Sequence, residues 1–391
     1  MINVISIGSD RNLFIEGSAV RDRQIEYGRL FKELHIVVFT IENLFFPANL
    51  PAKIQIAPNV WVYSTQSFSK FLHIKQASKV AGRIIKDRKF LPENTVVTVQ
   101  DPFESGLVGL RLKKAFGLGL QIQIHTDFLS PYFVKQSLLN RLRVRMAKKV
   151  LAQADAVRAV NKKTIEGLSS VISLKPAVAP EVLPIFVDIK KIEALPINLN
   201  LKKRYPQFNF IILMASRLTK EKNISLGIET LQKLLKTHPR TGLLIVGSGP
   251  EQYNLKRRVE FLNLDKSVVF EPWQEDIYSY YKTADLFLLT SNYEGYGLTL
   301  IESVACHCPV VSTDVGIARE LLIGDRASDP AFVCPIGDMT ALFKSVSKII
   351  EDPVTRELSV NEAYGRLGKV VVRSQEIYLG QYKNNLESAI I

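Results

Sequence analysis

Leu286-Phe287-Leu288-Leu289-Thr290-Ser291-Asn292-Tyr293-Glu294-Gly295-Tyr296-Gly297-Leu298-Thr299-Leu300-Ile301-Glu302 reads as a short apolar strand, a glycine-bearing turn and the opening of a helix. That succession is the unit from which open, doubly wound α/β sheets are built, and ligands of such sheets bind beyond the carboxyl ends of the strands. Gly295 and Gly297 let backbone come close to a ligand, and the helix start at Leu298 and Thr299 offers free amides to an anion such as a diphosphate. Glu294 falls in the turn and Glu302 about one helical turn later, so the two carboxylates can grip different hydroxyls of one elongated ligand. Spacing alone fits an ordinary strand–loop–helix with two solvated glutamates as well.

Two further loops have the same setting. Ala215-Ser216-Arg217-Leu218-Thr219-Lys220-Glu221-Lys222-Asn223 follows the apolar run Phe210–Ser216, and its Arg217 and Lys222 can neutralise phosphate oxygens without a metal. By itself such a run also describes a solvated basic loop. Val246-Gly247-Ser248-Gly249-Pro250-Glu251 brings Gly247 and Gly249 to the same rim, although it is too short for a dinucleotide fingerprint. Three strand-end loops of one domain, all suited to phosphate or hydroxyl groups, converge on one sheet edge and point to a nucleotide site.

Outward from this core the same rhythm occupies the whole chain, and 391 residues with 47% hydrophobic side chains suit two α/β domains. Strands are expected at Ile2–Ile7, Ile36–Phe39, Val60–Tyr63, Val96–Gln100, Leu120–His125 and Ala156–Val160, with helices at 18–34, 74–88, 106–116 and 134–152. A stretch punctuated by Pro176, Pro180, Pro184 and Pro196 breaks the rhythm, which places a first domain at 1–190 and a second at 191–373. The second is expected to have strands at 210–216, 243–246, 268–271, 286–290, 310–313 and 331–333. Its helices are expected at 224–236, 252–262, 298–305, 339–351 and 356–372, and the tail 374–391 is a candidate to pack back on the first domain.

Cys306, Cys308 and Cys334 form no disulfide framework, as in a reducing compartment, and neither a signal peptide nor a membrane span is evident. The expected location is the cytoplasm. The net charge of +13 is concentrated in residues 51–150, with 17 basic against 5 acidic side chains, so an anionic partner is expected at that face.

The chain resembles the family-four retaining glycosyltransferases of the GT-B fold. The carriers are the Glu-x7-Glu spacing from Glu294 to Glu302, the run Pro309-Val310-Val311-Ser312-Thr313-Asp314-Val315-Gly316, Ser216-Arg217-Leu218 with Lys222, and Val246-Gly247-Ser248-Gly249-Pro250. The match is strong over most of residues 210–325 and weaker across the first domain, where it rests on Asp101-Pro102-Phe103, His125, Ala154-Asp155 to Asn161 and Pro184 to Asp188. The resemblance implies two Rossmann-like parallel-sheet domains facing a cleft. It also implies transfer of a hexose, with retention, from a UDP- or GDP-sugar to a hydroxyl acceptor on a glycan or lipid, without a metal.

Residue by residue, the resemblance assigns the donor diphosphate to Arg217 and Lys222 and the ribose to Glu302. Sugar hydroxyls fall to Glu294 with backbone groups near Gly297, Leu298 and Thr299. His125 is similar to the family's histidine beside sugar and acceptor; read from the residues alone it is a satisfied structural histidine, and Asp127 is a substitute candidate. Where the family has a paired-glycine loop after the first strand, this chain has Gly8-Ser9 and Gly17-Ser18, and Gly17 is the candidate donor contact there. His307, at a position where many relatives have glycine, reads as a left-handed helix cap. No metal site is expected, since Cys306-His307-Cys308 lacks a second ligand pair and no Asp-x-Asp occurs.

The segment 134–152 sets Arg141, Arg143, Arg145, Lys148 and Lys149 among Leu138, Leu139, Leu142 and Met146. Two readings stand: a basic amphipathic face on anionic lipid, or a solvated face over a packed apolar stripe. Rival functions are a nucleotide-sugar epimerase or glycoside phosphorylase of the same fold, and a basic nucleic-acid-binding protein. No nucleic acid is expected, because the chain lacks aromatic-plus-basic strand motifs and a recognition-helix signature.

Overall fold

Alternating apolar strands and helices build two sheets in this computed structural model, which describes residues 1–41, 50–172, 179–323 and 332–390. The chain divides into a unit of Met1–Leu183 with Gln375–Ile391 and a unit of Pro184–Ser374. Pro176 and Ala331, which the sequence assigns to the boundary stretch and to the last strand, lie outside the described residues.

The first unit has strands β1 (Asn3–Gly8), β2 (Glu33–Val38), β3 (Lys53–Ala57), β4 (Val60–Ser64), β5 (Thr95–Val99), β6 (Gly119–Ile124), β7 (Ala156–Ala159) and β8 (Glu181–Val182). Their order is β3-β4-β2-β1-β5-β6-β7-β8, all parallel except β3, which pairs antiparallel with β4. β1, β5 and β6 are buried along their whole length, and the polar side chains they carry, Asn3, Ser6, Thr95, Thr98, Gln121 and Gln123, are buried with them. The edge strands β3 and β8 are absent from the sequence reading. They are short, and β3 is held by its register against Trp61 and Tyr63, which no local pattern encodes.

Two helices differ from expectation. The first ends at Gly28 rather than near 34, because the Asn59 amide donates to the Gly28 and Phe31 carbonyls at 2.8 and 2.9 Å and so terminates it from a distant loop. The single helix expected at 134–152 is two, Pro131–Gln136 and Leu138–Leu151. Ser137 between them is extended (φ −160°, ψ 158°) and its hydroxyl caps the Asn140 amide at 3.1 Å. The leucines there do not form a packed stripe. Asn140, Ala147, Val150 and Leu151 are buried, while Leu138, Leu139 and Leu142 are exposed.

The second unit has β9 (Phe210–Ala215), β10 (Thr241–Val246), β11 (Val268–Glu271), β12 (Leu286–Leu289), β13 (Val310–Thr313) and β14 (Val333–Cys334), all parallel in the order β11-β10-β9-β12-β13-β14. The helices Ile224–Leu234 and Met339–Glu351 cover one face and close a core around Ile212, Leu231, Ile245, Leu288 and Val346. Winding reverses between β9 and β12, and in open α/β sheets the ligand takes the crevice outside the carboxyl ends of the strands at such a reversal.

Candidate active site

Lys222 and Glu294, 72 positions apart, meet at that crevice. The ammonium lies 2.5 Å from Glu294 Oε1, and both side chains are nearly buried, at 14% and 12% exposure. Ser291 Oγ donates to the same carboxylate oxygen at 2.7 Å. The loops beneath are stitched together. Thr290 Oγ1 donates to the Lys222 and Asn223 carbonyls at 3.0 and 2.9 Å, and the Asn292 amide donates to the Glu221 carbonyl at 2.7 Å. Asn223 adopts φ +45°, turning the chain from the cationic loop straight into the helix Ile224–Leu234. An ammonium carries three donors, so Lys222 can hold Glu294 and still reach phosphate oxygens.

Arg217, on the same loop, is 78% exposed, with Glu221 at 3.5 Å as its ion-pair partner. At that exposure the pair restrains the guanidinium little.

The helix Leu298–Ala305 begins on Gly297, at φ +97°. A glycine cap has no side-chain oxygen for the first amides, so the helix presents uncapped N–H groups at Leu298 and Thr299 with the positive end of its dipole. Gly316, after β13, supports this turn from outside. It has φ +52°, and a Cβ there would stand 2.3 Å from the Tyr296 carbonyl, which instead accepts the Ile317 amide at 3.0 Å. Gly247 and Gly249 serve close approach too: Cβ atoms there would lie 2.0 Å from the Ser216 carbonyl oxygen and 2.4 Å from that of Leu218. Leu218 N donates to the Ser248 carbonyl at 2.8 Å, so these glycines seat the cationic loop.

Glu302 is not drawn into the Lys222–Glu294 pair. It stands half-buried near Tyr278, Tyr281 and Cys306, and burial raises its carboxyl above the usual range. His307, with φ +56°, is the left-handed cap its sequence position suggests, and its ring stacks on Tyr364 at 4.4 Å.

His125 belongs to the first unit, just past β6. Nε2 is 3.1 Å from Gln123 Oε1, and burial, then the Arg158 and Arg23 cations, push its pKa down to about 3. It is therefore neutral at physiological pH. Asp127 is raised by burial. Gly17, at φ +73°, sits in open space after the first turn and leads into Ser18, whose hydroxyl caps the helix Ala19–Gly28. Ser291, Asn223 and Gln123 are the site-building residues that sequence reasoning missed. Gly316 was visible only as the end of the Pro309–Gly316 run.

With this geometry in view, residues 201–366 match the family described as "Glycosyl transferases group 1". N-acetyl-alpha-D-glucosaminyl L-malate synthase of Bacillus anthracis is 27% identical over 204 residues, 52% of each chain. An N-acetylgalactosamine-N,N'-diacetylbacillosaminyl-diphospho-undecaprenol 4-alpha-N-acetylgalactosaminyltransferase of Campylobacter jejuni is 28% identical over 232 residues, 59% of each. The matched stretch thus spans about half to three-fifths of these two curated relatives. Among solved structures, HepE of Anabaena in complex with UDP and glucose superposes with a TM-score of 0.75 at 18% identity, over 99% of this chain and 100% of that one. The shared architecture is GT-B.

Proposed function

We propose that this chain, whose residues 201–366 match the group 1 glycosyltransferases and whose fold is GT-B, moves a hexose, with retention, from a nucleoside diphosphate sugar to a hydroxyl acceptor. The nearly buried Lys222–Glu294 pair at the β9/β12 reversal carries this reading. One end of the pair suits a diphosphate and the other the hydroxyls of the sugar, so a single contact couples the two parts of the donor. As the bond from the anomeric carbon to phosphate oxygen breaks, its electrons stay on the diphosphate. Lys222, held by Glu294, and the amides of Leu298 and Thr299 are the groups set to receive that charge, and the loosely held Arg217 closes on it, so on this proposal stabilisation is electrostatic and needs no metal. On this proposal Glu302 serves the ribose, and the family resemblance assigns His125 to the transferred sugar and Gly17 to the donor.

A thermal-shift panel of UDP, GDP, ADP and TDP tests the donor site. The cognate diphosphate at 100 times its dissociation constant adds about 2.7 kcal/mol of stability. Four flat responses at millimolar ligand would remove the basis for a nucleotide-sugar site.

The acceptor side, on this proposal, meets an anionic lipid surface on the cytoplasmic face, with a lipid-linked or glycan hydroxyl as acceptor. No described helix is long and apolar enough to cross a membrane. The support is at the surface. The helices His73–Arg88, Glu104–Phe116 and Leu138–Leu151 lie side by side, and Glu104 pairs with Arg143 at 2.9 Å. Phe71 is 94% and Leu138 78% exposed, with Phe68, Leu139 and Leu142 also outward. Lys70, Lys75, Lys79, Arg141, Arg145 and Lys149, on the same segments, are exposed as well. Apolar side chains amid cations are the composition that inserts into an anionic interface. Co-sedimentation with vesicles rich in phosphatidylglycerol should fall at least several-fold for Leu138→Ser with Leu142→Ser, and vanish with neutral phosphatidylcholine. Equal binding by wild type and variant would place the contact elsewhere.

A further inference from the structure

Beneath His125 lies a buried polar layer that joins the strands of the first unit to the C-terminal helix Gln375–Glu387. Its centre is Gln123, two residues earlier on the same face of β6 and 2% exposed. The orientation of this amide is determined by its neighbours. Arg158 Nη1, a group that can only donate, reaches Gln123 Oε1 at 3.3 Å. On the opposite side Gln123 Nε2 donates to Thr98 Oγ1 at 2.9 Å and to Tyr382 OH at 3.4 Å. The Thr98 hydroxyl spends its own proton on Gln121 Oε1, so it must accept from Gln123. The atom facing His125 Nε2 is therefore the amide oxygen, and a 3.1 Å contact to an acceptor requires a proton on Nε2.

Arg158 is itself 2% exposed. Its remaining donors reach the Leu183 carbonyl at 3.4 Å and Tyr378 OH at 3.0 Å, and the guanidinium lies 5.5 and 5.2 Å from the ring centres of Tyr378 and Tyr382. Tyr378 OH is tied in turn to Tyr27 OH at 2.9 Å. A second proton on the imidazole would set a cation beside this buried guanidinium and near Arg23, with burial adding to the penalty. Among the described residues Gln123 is the hydrogen-bond partner of His125, so Nδ1 is left as the acceptor nitrogen.

We propose that Gln123 and Arg158, clamped by Tyr378 and Tyr382 of the C-terminal helix, are positioning residues. They hold His125 as the neutral Nε2–H tautomer, so that its Nδ1 lone pair accepts a hydroxyl of donor sugar or acceptor. This rests on the reading that His125 faces the transferred sugar. The C-terminal helix thereby belongs to the machinery of the first unit rather than to a tail.

Long-range proton–nitrogen correlation spectra of the full chain, labelled at its five histidines, read the tautomer directly. A His125→Asn variant identifies the signals. The Nε2–H pattern is expected from pH 8 down to pH 5. Arg158→Met should yield a mixture of tautomers, a His125 that titrates between pH 5 and 7, and a kcat lower by about 10-fold at similar donor KM. Gln123→Glu, whose carboxylate still accepts from both partners, should keep the Nε2–H tautomer while raising the titration by more than one pH unit. If Arg158→Met does not fold, Tyr378→Phe and Tyr382→Phe carry the same test, each removing one hydroxyl from the clamp. An Nδ1–H pattern, a wild-type His125 that titrates near 6.5, or variants with the wild-type tautomer and titration would overturn the proposal. The spectra need no substrate. The expected tautomer in a chain that turns over no nucleotide sugar supports the network and sinks only the enzymatic reading.

Discussion

Lys222→Ala lowers turnover by on the order of 100- to 1,000-fold, the usual loss when one preorganised donor to a developing anion is removed. The size follows from the setting. The ammonium is 14% exposed and ion-paired to Glu294, so its charge acts on the diphosphate with little screening by water. Alanine also strips Glu294 of its cation and leaves Ser291 Oγ as its donor among the described hydrogen bonds, so the carboxylate proposed to bind the sugar loses its orientation along with the proposed phosphate contact. Lys222→Arg should rescue little, because a planar fork needs different geometry from a compact ammonium wedged between two loops. Steady-state kinetics with a labelled donor, on protein whose melting temperature shows it folded, gives the number. Turnover within a few-fold of wild type would remove Lys222 from the chemistry.

Gly247→Val is expected to damage fold and donor site together. The added Cβ would lie 2.0 Å from the Ser216 carbonyl oxygen, which is backbone and cannot rotate away, and φ is +140°, where side chains are strained. Backbone strain of about 1–3 kcal/mol and overpacking of about 1–3 kcal/mol put the cost near 3 kcal/mol. In a unit of this size that lowers the melting temperature by roughly 6–12 °C. Relief of the clash pushes Ser216 and Arg217 outward, so nucleoside diphosphate affinity falls in step. Gly365→Ala is the control: it lies inside the helix Pro353–Val370 with nothing within 4 Å of the new Cβ, and should leave stability unchanged or raised by up to about 1 kcal/mol. Calorimetry that finds the valine variant within 2 °C of wild type would show that the loops after β9 and β10 do not depend on this close approach.

The limits of the sequence reading are visible in particular elements. Leu298–Ala305, Met339–Glu351, Val268–Glu271 and Val310–Thr313 begin and end where periodicity and flanking residues place them, because their boundaries are local. The first helix overshoots because Asn59 ends it from 31 residues away, and the helix expected at 134–152 splits because Ser137 within it serves as a cap. The basic segment shows the same limit. Its leucines recur at helical spacing, yet Leu138 and Leu142 face outward, since which flank of a helix meets the sheet is set by the neighbouring helix Glu104–Phe116 and not by spacing.

By itself the sequence determined the alternation of strands and helices, the strand-end placement of Arg217, Lys222, Gly247, Glu294 and Gly297, and the excess of cations in the first half, because each depends on residues a few positions apart. Only the tertiary structure decided that Lys222 closes on Glu294, that Gly316 buttresses the turn before Leu298, and that Tyr378 and Tyr382 reach Arg158 from more than 200 residues away. The reason is the parallel sheet: apart from the β3–β4 pair, described strands are largely connected through helices on one side or the other. Strand order, and with it which distant loops share a rim, is set by how the helices pack and not by any local preference of the chain.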